Sequence, residues 1–151
     1  MRYLHTMVRI SDIETALDFY CKKLGLEEGY RLESEAGRFT NIFLHAPGDT
    51  VQAEENRAPL LELTYNWPNE HGETEKYTGG RNFGHLAYEV DDIYKTCASL
   101  EAAGVVINRP PRDGRMAFIQ SPEGISIELL QAGDALAPAE PWQSKANQGS
   151  W

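Results

Sequence analysis

Long apolar runs, cysteine and positive charge are all scarce in this chain. No apolar stretch approaches the ~20 residues that a membrane-spanning helix requires, and the first residues lack the charged-then-apolar pattern of a secretion signal. The expected location is therefore the cytoplasm, with no membrane partner. Only two cysteines occur among 151 residues, Cys21 and Cys97, and they form no C-x-x-C pair. A disulfide framework and a thiolate zinc site are excluded, and both thiols are expected to be reduced and mostly buried. Fourteen Lys and Arg stand against 23 Asp and Glu, for a formal net charge of −9. Such a field repels phosphates, so no nucleic-acid partner is expected, and a small anionic ligand would need a local cluster of cations. Hydrophobic residues, at 41% of the chain, are plentiful enough for one packed core or for two small similar modules sharing one.

The most informative stretch is Leu60-Leu61-Glu62-Leu63-Thr64-Tyr65-Asn66-Trp67. Period-2 alternation places Leu61, Leu63, Tyr65 and Trp67 on one face and Glu62, Thr64 and Asn66 on the other. An ionised carboxylate between leucines is costly to bury alone, so Glu62 must meet water, an ion pair or a metal. Taken by itself, the strand reads as one with a solvated polar face in an antiparallel sheet.

The rest of the chain changes that reading. Residues 3–10 form a first strand on which His5, Met7 and Arg9 share a face, and Ser11 and Asp12 offer caps for a helix. Ile13, Ala16, Leu17, Tyr20 and Leu24 recur at helical spacing, with Gly25 as the stop. Strands are expected near 26–32, 39–44 and 60–67, with a turn at Ala46-Pro47-Gly48-Asp49. Residues 68–82 are polar and glycine-containing and read as a linker.

The pattern then repeats. His85 precedes the pair Asp92-Ile93 by seven positions, as His5 precedes Asp12-Ile13, and a helix from Ile93 through Cys97 and Leu100 stops at Gly104. Strands are expected near 105–108, 116–121 and 125–131, the last with Glu128 between Ile127 and Leu129. Each half opens with a strand bearing a histidine and closes with a strand bearing a glutamate. The expected organisation is a first module over 1–67, the linker 68–82, a second module over 83–131, and a tail over 132–151 that is either disordered or docked through Trp142 and Trp151.

Two histidines and two glutamates at matching positions would make a four-ligand site for a divalent metal if the first and last strands of each module are adjacent. Imidazole and carboxylate without thiolate suit Ni²⁺, Co²⁺, Mn²⁺, Zn²⁺ or Fe²⁺, and the open positions such a set leaves are where a Lewis acid acts. A lone strand histidine is more often a hydrogen-bonded core or surface residue, so the weight rests on the repetition. His45 and His71 fall outside the pattern and read as surface residues.

His5-Thr6-Met7, Leu17-Asp18-Phe19-Tyr20 with Leu24-Gly25-Leu26, Glu62-Leu63-Thr64-Tyr65-Asn66-Trp67, Phe83-Gly84-His85 and Phe118-Ile119-Gln120-Ser121-Pro122-Glu123-Gly124 with Ile127-Glu128-Leu129 closely resemble glyoxalase I, the lactoylglutathione lyases of the vicinal oxygen chelate superfamily. The resemblance covers residues 1 to about 131. It implies an α+β fold of two paired βαβββ modules forming curved mixed sheets, with a metal held by His5, Glu62, His85 and Glu128. It also implies a homodimer with interfacial sites, each drawing His5 and Glu62 from one chain and His85 and Glu128 from the other. The implied reaction is isomerisation of the methylglyoxal–glutathione hemithioacetal to S-lactoylglutathione, a detoxification of methylglyoxal. A proton would pass through a metal-bound ene-diolate, with Glu128 as main base and Glu62 serving the other stereoisomer.

Glutathione contacts are implied at Lys22, Asn66, Arg81 and Arg109, of which Asn66 also shares the Glu62 face by period 2 alone. The chain lacks the extra segments typical of zinc-using members, which favours Ni²⁺ or Co²⁺ over Zn²⁺. Two features depart from the family pattern: a short segment at 111–116, and Lys22 where some members have the better bidentate partner Arg. Competing readings keep the fold but change the chemistry, as in the superfamily's epimerases, thiol transferases and dioxygenases, or its metal-free binding proteins. The dioxygenases use three protein ligands, so a fourth at His5 counts against them.

Overall fold

A carboxylate precedes each of two helices and a glycine follows it, and the backbone obeys both signals. The computed structural model describes residues 1–78, 80 and 82–151. Asp12 accepts a hydrogen bond from the Thr15 amide to start helix α1 (Ile13–Leu17), and Asp92 accepts from the Tyr94 and Lys95 amides to start α3 (Ile93–Ala102). Gly25 (φ +88°) and Gly104 (φ +83°) then take the left-handed conformation that turns the chain away, which a side chain would resist. Helix α1 widens into a π-helical segment, Asp18–Lys23, rather than running on regularly as its spacing predicts.

The residues fall into two units, Met1–Thr78 and Gly79–Trp151. The first carries a mixed four-stranded sheet in the order β1 (His5–Ile10), β4 (Leu60–Asn66), β3 (Phe39–His45), β2 (Glu27–Ser34), with β1 and β4 parallel and the other pairs antiparallel. Alternation sends Val8, Ile10, Ile42, Leu44, Leu61 and Leu63 to the core, where they are buried together with Ala16, Phe19 and Tyr20 of the helical segment. Each such aliphatic side chain contributes about 1.5–3 kcal/mol on burial.

The second unit carries a three-stranded sheet in the order β5 (His85–Val90), β7 (Ser126–Gln131), β6 (Met116–Gln120), with β5 and β7 parallel. Ala117, Ile119, Ile127 and Leu129 are fully buried on one face, as are Ile93 and Cys97 of α3. Burial pushes the Cys97 thiol up to about 12, so it is inert. Cys21 is half-buried, and both cysteines are free. The α+β architecture of mixed sheets with helices is the one the sequence predicts.

Three local expectations need correction. Residues 105–108 are not a regular strand. Val105 and Ile107 are buried and Val106 is exposed, as alternation requires, but among the described residues the one bridge near this segment joins Arg109 to Phe118. Pro110 and Pro111, lacking amide protons, follow at once and stop the ladder. Second, the turn at 46–49 is a 3₁₀ turn, Pro47–Asp49, that leads into an unexpected helix α2 (Thr50–Asn56). Third, His45 is not on the surface: it is 6% exposed, with Nδ1 3.2 Å from the Ala46 carbonyl and 3.8 Å from Glu27. His71 is exposed. No helix among the described residues is long and apolar enough to cross a membrane.

Candidate metal centre

In the first sheet the parallel register sets His5 opposite Leu60 and Met7 opposite Glu62, so His5 and Glu62 lie on one face, one pleat apart. Their side chains meet there, His5 Nε2 to Glu62 Oε2 at 3.0 Å. In the second sheet His85 lies opposite Ser126 and Ala87 opposite Glu128, which is the same offset. His85 Nε2 stands 3.1 Å from Glu128 Oε2. A third residue completes each set. Phe43 of β3 pairs with Glu62 and holds its ring edge-on to His5 at 5.8 Å, and Phe118 of β6 pairs with Glu128 and holds its ring edge-on to His85 at 5.5 Å.

The environments of the two pairs favour ligation. Each imidazole is half-exposed and each carboxylate largely buried, so the donor atoms sit at the floor of a surface rather than in a closed core. The polar row of β4 is not the solvated face that the strand alone suggests. Glu62 is 9% exposed and Thr64 8%. Asn41 satisfies both: its Nδ2 donates to Glu62 Oε1 at 2.5 Å, and its Oδ1 accepts from the Thr64 hydroxyl at 3.1 Å. Among the described residues Glu128 has only His85 as a polar partner. A nitrogen and an oxygen converging at about 3 Å suit a borderline divalent ion. Each pair supplies two donors, and among the described residues no group of three or more His, Cys, Asp or Glu side chains is assembled.

The residues singled out for substrate contact are placed unequally. Asn66 shares the Glu62 face and donates to Glu75 at 2.7 Å. Lys22 is 77% exposed beside Asp18, which Lys23 also holds. Arg81 lies outside the described residues. Arg109 donates to Asp113 at 2.8 Å and to the Met116 carbonyl, so its guanidinium is committed to its own turn. Arg9, which period 2 places on the His5 face, is exposed there opposite Thr64, although it is not among the residues expected to contact substrate.

Partial burial pushes the Asp113 carboxyl up, but hydrogen bonds from Arg109 and from the Arg115 and Met116 amides outweigh it and hold it at about 2, against an ordinary 3.8. A depressed folded value means the contribution is present above the ordinary value and lost as pH falls toward 2. Protection of the amides within 109–116, measured against their intrinsic exchange rates, is expected to fall across that window in the native chain. In Asp113→Asn the turn is already loose at neutral pH and that acid step is absent.

Comparison with known proteins gives a consistent result. A family model described as the Glyoxalase/Bleomycin resistance protein/Dioxygenase superfamily matches residues 2–129. A lactoylglutathione lyase of Neisseria meningitidis is 38% identical over 136 residues, 87% of this chain and 91% of that protein. A probable lactoylglutathione lyase of Vibrio cholerae is 34% identical over 144 residues, covering 92% and 96%. Among solved structures, the trypanothione-dependent glyoxalase I of Leishmania major superposes with a TM-score of 0.74 at 30% identity, over 87% of this chain and 86% of that one.

Proposed function

Since this chain belongs to the Glyoxalase/Bleomycin resistance protein/Dioxygenase superfamily, we propose that it is a lactoylglutathione lyase, isomerising the hemithioacetal of methylglyoxal and glutathione to S-lactoylglutathione in the cytoplasm. The observation that carries this reading is the recurrence of His, Glu and Phe at the same register positions of two separate sheets, with donor atoms 3.0 and 3.1 Å apart. A purely structural role would not require the same three residues twice.

His5, Glu62, His85 and Glu128 would hold one divalent metal, Ni²⁺ or Co²⁺ in preference to Zn²⁺. The ion supplies Lewis-acid stabilisation of the charge that develops on the two vicinal oxygens of the substrate. The remaining work falls to the protein. Glu128 removes the proton from the carbon that bears sulfur and returns it to the neighbouring carbon, while the hydroxyl proton passes from the oxygen of the first carbon to that of the second; one C–H and one O–H bond are broken and re-formed, and no oxidant is needed. That His85 is its one polar partner among the described residues suits a group that must accept and release a proton. Glu62, tethered by Asn41, serves the opposite stereoisomer. Phe43 and Phe118 hold the imidazoles by their edges and exclude water from that side.

Two donors per unit do not complete a site, and the proposal is that two chains do. In a homodimer, His5 and Glu62 of one chain meet His85 and Glu128 of the partner subunit. Asn66 and Arg9 are then the polar groups on the His5 face placed to meet glutathione's carboxylates, with Arg81 and Lys22 as further contacts and Arg109 available only if it leaves Asp113.

The test is activity after metal removal. Metal-free protein given Ni²⁺, Co²⁺ or Zn²⁺ in turn should form thioester from methylglyoxal and glutathione, fastest with Ni²⁺ or Co²⁺. Metal bound without thioester formation, with glutathione or with another thiol in its place, would remove the lyase and leave another chemistry of the superfamily.

A further inference from the structure

Residues 132–151 are fastened along the second unit. The Tyr94 hydroxyl donates to the Ala137 carbonyl at 3.0 Å, and Arg112 donates to the Lys145 carbonyl at 2.9 Å and to Asn147 at 2.7 Å. Trp142 is buried, with the Lys145 ammonium 4.7 Å from its ring centre. The last anchor is Asn108, whose side-chain Nδ2 donates to the Gln148 carbonyl at 2.9 Å while its backbone carbonyl accepts from the Gln148 amide at 2.8 Å. The segment that failed to become a strand thus gives its free edge to the tail.

From that anchor the chain delivers Trp151 onto Phe118, ring centres 6.1 Å apart and 30° from parallel. Phe118 is the ring that stands edge-on to His85. The stack therefore lies on the metal-ligand face of β6, opposite the buried Ala117 and Ile119. Trp151 is itself 42% exposed, so it covers Phe118 without being closed in itself.

We propose that Trp151 is a specificity-determining residue of the active site, a wall that limits the substituent carried by the 2-oxoaldehyde; this rests on the lyase reading above. A methyl group fits beside the Phe118–Trp151 stack. A phenyl group competes with the indole for the face of Phe118. Removing the indole uncovers that face, and a substrate phenyl ring can take its place.

The experiment compares kcat/KM for the glutathione adducts of phenylglyoxal and methylglyoxal in the native protein, Trp151→Ala and Trp151→Phe. The phenyl-to-methyl ratio should rise about two- to tenfold in Trp151→Ala, the scale of one aromatic pair, and stay near the native value in Trp151→Phe. A purely structural role would slow both substrates equally and leave the ratio unmoved, which overturns the proposal. A second readout is independent of turnover. Co²⁺ or Ni²⁺ bound at His85 should quench Trp151 fluorescence, and Trp151→Phe should lose that component while Trp67 and Trp142 remain. If the native protein turns over neither aldehyde, the lyase reading fails and the substrate role of Trp151 with it, leaving only the place of the indole to be decided. The fluorescence then decides the placement: quenching that vanishes in Trp151→Phe supports it, and quenching unchanged in that variant overturns it.

Discussion

Replacing Glu128 by Gln is expected to lower kcat/KM by about 100- to 10,000-fold, the usual range for loss of a positioned general base. Gln keeps the shape of the side chain and an oxygen at the same place, so β7 and the packing of Ile127 and Leu129 beneath it are undisturbed. What it loses is the ability to accept a proton. Stability measured by thermal unfolding of the metal-free protein should change little, because among the described residues the Glu128 carboxylate has only the half-exposed His85 as a polar partner. Glu62→Gln should behave differently. Its carboxylate is one member of the Glu62–Asn41–Thr64 chain, and an amide can keep the Asn41 bond only by placing its NH₂ where Oε2 now faces His5, so it cannot accept at both places. Stability should therefore fall along with activity toward one stereoisomer. Equal losses of activity with no stability difference would argue against the division of labour between the two glutamates. Undiminished turnover in Glu128→Gln would remove Glu128 as the base.

The ligand candidates were legible in the sequence because both of their signals are local: alternation along one strand, and repetition of a spacing. Their partners were not. Asn41 and Phe43 reach Glu62 only through the β3–β4 register, which pairs residues some twenty positions apart and is invisible along the chain. Helix α2 escaped notice because Thr50-Val51-Gln52-Ala53-Glu54-Glu55-Asn56 buries only Ala53, leaving no apolar stripe to read. The error at His45 follows from that omission, since the cleft of about 560 Å³ that His45 lines is walled by Thr50, Ala53, Glu54 and Arg57 at the end of the same sheet. Strand 105–108 is a different case: its alternation was right and its burial followed, but Asn108 bonds to Gln148 of the tail and the bridge to Phe118 begins only at Arg109, so no regular ladder forms over the segment.

The origin of the four ligands can be tested by mixing two inactive variants. His5→Ala damages the first-unit half of a site and His85→Ala the second-unit half, and each homodimer alone should lose metal affinity and activity. If sites form between subunits, a mixed dimer has one site carrying both lesions and one carrying neither. Random exchange makes half the dimers mixed, and half of their sites are intact, so activity should return to about a quarter of the native level. If all four ligands came from one chain, every site in every dimer would carry one lesion and mixing would restore nothing. The two outcomes differ by a background-limited factor, larger than any effect of side-chain truncation on folding. Metal content measured on the mixture gives the same discrimination without turnover: an intact site retains an ion at a metal concentration where the singly lesioned ones do not. The mixture must pass through dissociation, so the recovery should also be slow and should quicken in mild denaturant, as exchange of subunits requires.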